Sequence, residues 1–219
     1  MNTPIRLILL LAIAAVPACL LAQSDPASTA SAAGAPHAIT GKERLHWAIL
    51  NTIGPRSLAA GVVSAGWGTL FNTPREYGTH WEGFGDRYGM RLTGIATSNT
   101  MEAGLGAIWG EDPRYPRAAG ESFGSRVGHV IKMAFLAQNR NGQTMPAFAR
   151  YAAIAGNNYL SNTWRADSEA TLSRATVRVG LGFLGRIAAN AWDEFWPDVE
   201  QRAFRRSDRD SAASATTYH

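Results

Sequence analysis

The sequence copies part of itself. Thr73-Pro74-Arg75 returns 39 residues later as Asp112-Pro113-Arg114, and Glu82-Gly83-Phe84-Gly85-Asp86-Arg87-Tyr88-Gly89 returns as Glu121-Ser122-Phe123-Gly124-Ser125-Arg126-Val127-Gly128. Each copy reads as a capping residue, Pro-Arg, six residues, then Glu-x-Phe-Gly-x-Arg-x-Gly. On a helix, residues three and seven positions further on share a face. Glu82, Gly85 and Gly89 therefore form one stripe, and Glu121, Gly124 and Gly128 form another. Glycine inside a helix costs about 1 kcal/mol against alanine. A run of such costs predicts close backbone approach, with Gly85, Gly89, Gly124 and Gly128 as helix-packing positions. The two repeat helices are expected to meet through these stripes, with Glu and Arg pairing across the junction.

Capping boxes set the helical frame. Thr40-Gly41-Lys42-Glu43 predicts a helix from about 41 that turns Leu45, Ala48 and Ile49 inward. Pro55 suits the first position of the next helix, and the uncharged run Ser57 to Phe71 reads as buried most of the way round. Thr73-Pro74-Arg75-Glu76 and Thr79-His80-Trp81-Glu82 are two more boxes. They predict a short helix at 74–79 and a long one at about 80–109 that ends at Gly110, with Gly94 or Thr97–Thr100 as candidate interruptions. Further helices are expected at about 121–138, closed by Asn139-Arg140-Asn141-Gly142, and from Thr144 to about Asn162. The last is capped by Asp167 or Ser168, reaches Trp196, is kinked or ended by Pro197, and has a short charged extension to Arg206. The expectation is an all-α, single-domain, Gly/Ala-rich bundle of six or seven helices containing the 39-residue repeat. A Gly- and aromatic-rich outer-membrane β-barrel is the rival, but strict alternation is almost confined to Thr176–Phe183.

Residues 1–22 read as a secretory signal peptide: Arg6, an apolar core from Leu7 to Leu21, and Ala22 at the cleavage point. Lipidation at Cys19 and an uncleaved anchor are the alternatives. Residues 23–39, rich in Ala, Ser and Pro, read as a disordered linker, 40–206 as the helical domain and 207–219 as a disordered tail. Without the leader no cysteine remains, so neither disulfides nor thiolate chemistry is expected. Loss of Arg6 lowers the net charge from +4 to +3, too little to argue for nucleic acid.

Signals for chemistry are sparse. Histidines at 37, 46, 80, 129 and 219 are scattered, and Glu43-x-x-His46 has no second copy, so no metal or other cofactor is expected. Glu82 with Asp86, Glu111 with Asp112, and Asp193 with Glu194 are candidate carboxylate pairs for glycan hydrolysis, each also explicable by caps or helix ends. No catalytic residue is assigned. If the duplicated segments line a cleft, its residues are Glu82, Asp86, Arg87, Glu102, Glu111, Arg114, Glu121 and Arg126. Trp67, Trp109, Trp164, Trp192 and Trp196 stand near the ends of apolar stretches, as in an interfacial belt, while Glu102 and Arg186 interrupt the longest ones. A membrane surface is therefore a candidate partner.

The ordered blocks WEGFGDRYG, EDPRY, SNTW and EFWPD resemble those of an uncharacterised family of exported bacterial proteins over roughly residues 45–200. The resemblance implies an envelope location, periplasmic or outer, and a single domain; it carries no activity and no catalytic residue. The function expected is structural or binding, on an envelope component, soluble or peripheral to the membrane. An envelope hydrolase and an integral outer-membrane protein are the alternatives.

Overall fold

The computed structural model describes residues 38–216 except Ala119, with side chains up to Gln201. The leader at 1–22, almost all of the 23–39 linker and the last three residues lie outside the described part.

The described chain is mostly helical. Helix α1 (Gly41–Ile53) starts at the expected capping box, where Thr40 accepts from Glu43 N–H and Glu43 reaches back to the cap. Gly54 ends it, and α2 (Pro55–Leu70) begins at once with proline in its first turn. A 3-10 turn (Arg75–Tyr77) leads to α3 (Trp81–Trp109), the long axis of the fold. Neither Gly94 nor the threonines interrupt α3. Gly110 ends it in the left-handed conformation, φ 78°, which glycine adopts without steric cost.

α1 and α2 lie antiparallel along α3: Arg44 stands over Gly106, Thr52 accepts from Asn99, and Gly61 faces Tyr88. On the other side, α5 (Phe148–Leu160) runs antiparallel to the second half of α3, with Arg150 beside Glu102 and Asn157 beside Gly94. α6 (Leu172–Thr216) packs on α5 through Gly182 and Ile154, then on α4 (Phe123–Phe135) through Asn190 and Val130. It continues through Pro197, where the sequence predicted a kink or stop, and covers 207–216 of the expected tail.

Several expectations are corrected. The boxes at Thr73 and Thr79 do not form: Pro74 and His80 flank the helical segments, and neither helical start has a side-chain cap bond. The segments read as the end of one helix and the start of the next are instead strands. β1 (Glu111–Asp112), β2 (Leu136–Asn139) and β3 (Thr144–Pro146) form an antiparallel sheet in that order, Ala137 opposite Met145 and Gln138 between Asp112 and Thr144. The turn chemistry read as a helix stop closes a hairpin. Asn139 Oδ1 accepts from the backbone of Asn141 and Gln143, and Gly142 takes φ 75°. Helicity elsewhere also rules out the barrel for the described residues.

The glycine stripes do not meet. A Cβ added at Gly85, Gly89, Gly124 or Gly128 finds nothing within 4 Å. Close approach occurs at Gly83 instead, where a Cβ would stand 2.0 Å from the Tyr77 carbonyl oxygen. Leu45 and Ile49 of α1 point outward while Arg44 points in, and α2 buries only Gly61 and Ala65.

Candidate functional site

That reversal is general. The buried apolar residues are mainly alanines, with Met90, Met133, Val130 and Ile154. Buried beside them are Arg44, Arg87, Arg150, Glu102, Glu111, Glu194, Asn157, Asn190 and Ser161. The large apolar side chains face out: Val63, Trp67, Leu70, Trp81, Ile108, Phe123 and Leu172 are each 66–81% exposed. Along α6, Val177, Leu181, Leu184, Trp192 and Trp196 are exposed. Arg178, Arg186 and Glu194 of the same helix are turned toward partners inside.

Three knots of charged side chains, two of them ion-paired, hold this interior. In the first, Arg87 donates to four carbonyls. Its Nε donates to Thr73 at 2.9 Å, Nη2 to Pro74 at 2.8 Å, and Nη1 to Gly78 and Gly83 at 2.7 and 3.0 Å. One guanidinium fork thus satisfies the loop between α2 and α3, and it lies over the Tyr77 ring.

At the second knot, α3, α5 and α6 meet on Glu102. Arg150 Nε donates to Glu102 Oε1 at 2.9 Å, Arg186 Nη2 donates to the same oxygen, and Arg186 lies over Trp47. Arg150 Nη1 also donates to the carbonyls of Met133, Ala134 and Leu136, closing the last turn of α4. Burial pushes the Arg186 pKa down to about 10, against the opposing pull of Glu102. Glu111 sits nearby in β1 and accepts from Ala149 N–H at 2.9 and 3.1 Å, capping α5 from outside its own sequence. Burial holds the Glu111 carboxyl above its ordinary value, although Ala149 N–H and Arg150 pull the other way.

The third knot surrounds Glu194, whose side chain is fully buried. It accepts from Arg126 Nε at 2.6 Å, and from Tyr115 Oη and Ala118 N–H at 3.0 Å. Burial raises its pKa, but these donors outweigh it and hold the carboxyl below the usual range. Arg126 also reaches Asp198 and lies over Phe195.

The eight residues expected to share one cleft are therefore distributed. Arg87 lies in the first knot, Glu102 and Glu111 at the second, and Arg126 at the third. Arg114 is bound to Asp112 and to Glu43 at the outer edge of β1. Glu82 is exposed in the first turn of α3, Asp86 is half-buried one turn on, and Glu121 is exposed and bonded to Ser125. Of the paired carboxylates, Glu111, Asp112 and Glu194 have donors described above, and Asp193 is paired with Arg56 at the surface. Among the described residues, no group of three or more His, Cys, Asp or Glu side chains is placed to hold a metal ion. Arg150 and Glu194 did not figure among the eight. A lone arginine inside Ala147–Gly156 was the available signal, because a charge in an apolar run needs a buried partner.

No family model, no curated protein and no solved structure matches this chain.

Proposed function

We propose that this chain is a non-catalytic helical protein of the cell envelope that works against lipid, as a structural or binding element at a membrane. The reading rests on one observation: most buried charged groups are held by carboxylates or carbonyls, while many bulky apolar side chains lie exposed. In water the hydrophobic effect drives the opposite arrangement. In contact with acyl chains, ionisable side chains are expected to turn inward and pair with one another or with carbonyls. The exposed apolar residues occur on every α-helix, from Leu45 on α1 to Val199 on α6. No helix among the described residues is long and apolar enough to cross a membrane, so we infer embedding at the interface, with Trp67, Trp81 and Trp109 as boundary residues. We read the fold as one Gly/Ala-rich bundle, and the duplication as two copies of an arginine anchor, Arg87 and Arg126. Export, by the leader read at 1–22, belongs to the same proposal.

Flotation of the purified chain with phospholipid vesicles tests this reading. We expect co-migration with the vesicles, and a need for detergent to keep the lipid-free protein monodisperse. A monomer that is stable without detergent and stays with the unbound fraction would sink it.

A further inference from the structure

Arg44 is 7% exposed, and its Nη1 is buried without a hydrogen-bond partner. It packs on the last turns of α3, where a Cβ at Gly106 would stand 2.8 Å from that nitrogen and 3.1 Å from the Glu111 carbonyl oxygen. Two more guanidinium groups hold the same short span. Arg140 Nη2 donates to Ala107 O at 2.9 Å and its Nε lies 3.2 Å from a Cβ built on Gly110. Arg114 clasps Asp112, with Nη2 2.6 Å from Oδ2. The neighbouring carboxylates already have donors. Asp112 is bound by Arg114, Glu111 by Ala149 N–H, and Glu43 by the Thr40 cap and Arg114. Asp112 and Glu111 lie close enough to favour the Arg44 charge, and Arg114 and Arg140 close enough to oppose it, but none of them bonds Nη1. A buried donor without a partner is costly, and a guanidinium fork matches phosphate oxygens. From the same turn Ile108 and Trp109 project outward, 74% and 46% exposed.

We propose that Arg44, flanked by Arg114 and Arg140, forms a binding site for a phosphate group where α1 crosses the end of α3. The exposed Ile108 and Trp109 beside it suit a phosphate carried on an acyl chain, so the lipid form of the proposal rests on the membrane reading. The phosphate site itself does not.

The test uses the full chain in maltoside micelles, with Arg44→Met as the variant, Arg140→Met as a second, and Arg75→Met as a cation control remote from the site. Thermal unfolding is measured against inorganic phosphate at matched ionic strength. Flotation is measured with phosphatidylcholine vesicles, with and without phosphatidylglycerol. Arg44→Met is expected to fold and to melt no lower than the parent without phosphate, because it removes a buried donor that makes no hydrogen bond and keeps the apolar stem. Saturable stabilisation by inorganic phosphate that Arg44→Met abolishes would identify a free-phosphate site. A phosphatidylglycerol-dependent affinity that drops about tenfold in Arg44→Met and Arg140→Met but not in Arg75→Met would identify a lipid headgroup. Phosphate binding without vesicle binding would keep the site and discard the membrane reading. Vesicle binding and phosphate response both unchanged in Arg44→Met would overturn the site. A large loss of stability in Arg44→Met without phosphate would do the same, since it would make Arg44 a structural cap of α3.

Discussion

Arg126 Nε lies 2.6 Å from Glu194 Oε1, and Arg126 Nη1 lies 2.6 Å from Asp198 Oδ2 one turn further along α6. Arg87, at the matching place in the similar sequence pattern 39 residues earlier, donates to four carbonyl oxygens instead. Matching positions in the two stretches thus make two different anchors. One closes a local loop, and the other ties α4 to α6 across 68 residues of sequence. A guanidinium serves both roles because its donors lie in a rigid fork that can donate to carboxylates or carbonyls alike.

Replacing Arg87 by lysine is expected to destabilise the fold by about 2–3 kcal/mol, since an ammonium cannot span the Thr73, Pro74, Gly78 and Gly83 carbonyls and leaves some unsatisfied. Chemical denaturation monitored by circular dichroism measures the loss. Limited proteolysis should show earlier cleavage at residues 72–80. A lysine variant as stable and as protected as the parent would remove Arg87 from this role.

The glycines separate two packing arrangements. Gly83→Ala should cost several kcal/mol because its methyl would stand 2.0 Å from the Tyr77 carbonyl oxygen, a clash the backbone must move to relieve. Gly85→Ala and Gly124→Ala should be neutral or stabilising by up to about 1 kcal/mol, since both sites are open and alanine favours the helix. If instead Gly85 and Gly124 were the sensitive positions, the helices would be meeting through the duplicated stripes. Melting temperatures of the three variants decide it.

Arg150→Met should cost about 3–5 kcal/mol. It leaves Glu102 with only Arg186 and uncaps the carbonyls at the end of α4, Met133, Ala134 and Leu136. Hydrogen exchange should then rise first in that last turn and in β2, before the remainder of the chain.

Glu111 and Glu194 should pull the pH dependence of stability in opposite directions. Burial holds the Glu111 pKa above its unfolded value, so its ionised form opposes folding, and stability rises as pH falls through the raised value. Glu194 and Asp198 have the opposite sign. For Glu194 the donors overcome burial, and for Asp198 the hydrogen bond from Arg126 dominates, so both lie low when folded. Their contribution is full above the ordinary carboxylate range and is lost as pH falls through the depressed values. Glu111→Gln should therefore flatten the rise in stability as pH falls through the raised value, and Glu194→Gln the loss as pH falls through the depressed one. Midpoints of denaturant unfolding across pH give both slopes.

The helical class, the starts of α1 and α2 and the stop at Gly110 were legible in the residues alone. Each of these depends on groups within a turn of one another: the Thr40–Glu43 box, Pro55 at a first helical position, a glycine free to take positive φ. The hairpin's Asn-x-Asn-Gly turn was equally legible as a break, but the same side-chain bonds serve a helix end or a strand pair. Pairing with β1 makes its flanks strands, and the two residues of β1, Glu111 and Asp112, are too short a pattern to foretell that. The inward face of each helix was settled by the fold as a whole. Leu45 and Ile49 form a good apolar stripe, yet Arg44 is the buried residue because α3 offers it Gly106. Glu102, Arg150 and Arg186 are far apart in the chain, and the crossing of three helices makes them one charge cluster. Periodicity marks two faces of a helix but carries no sign for which solvent each one meets. That choice comes from the partners available across the fold and, on the membrane reading, from lipid outside it.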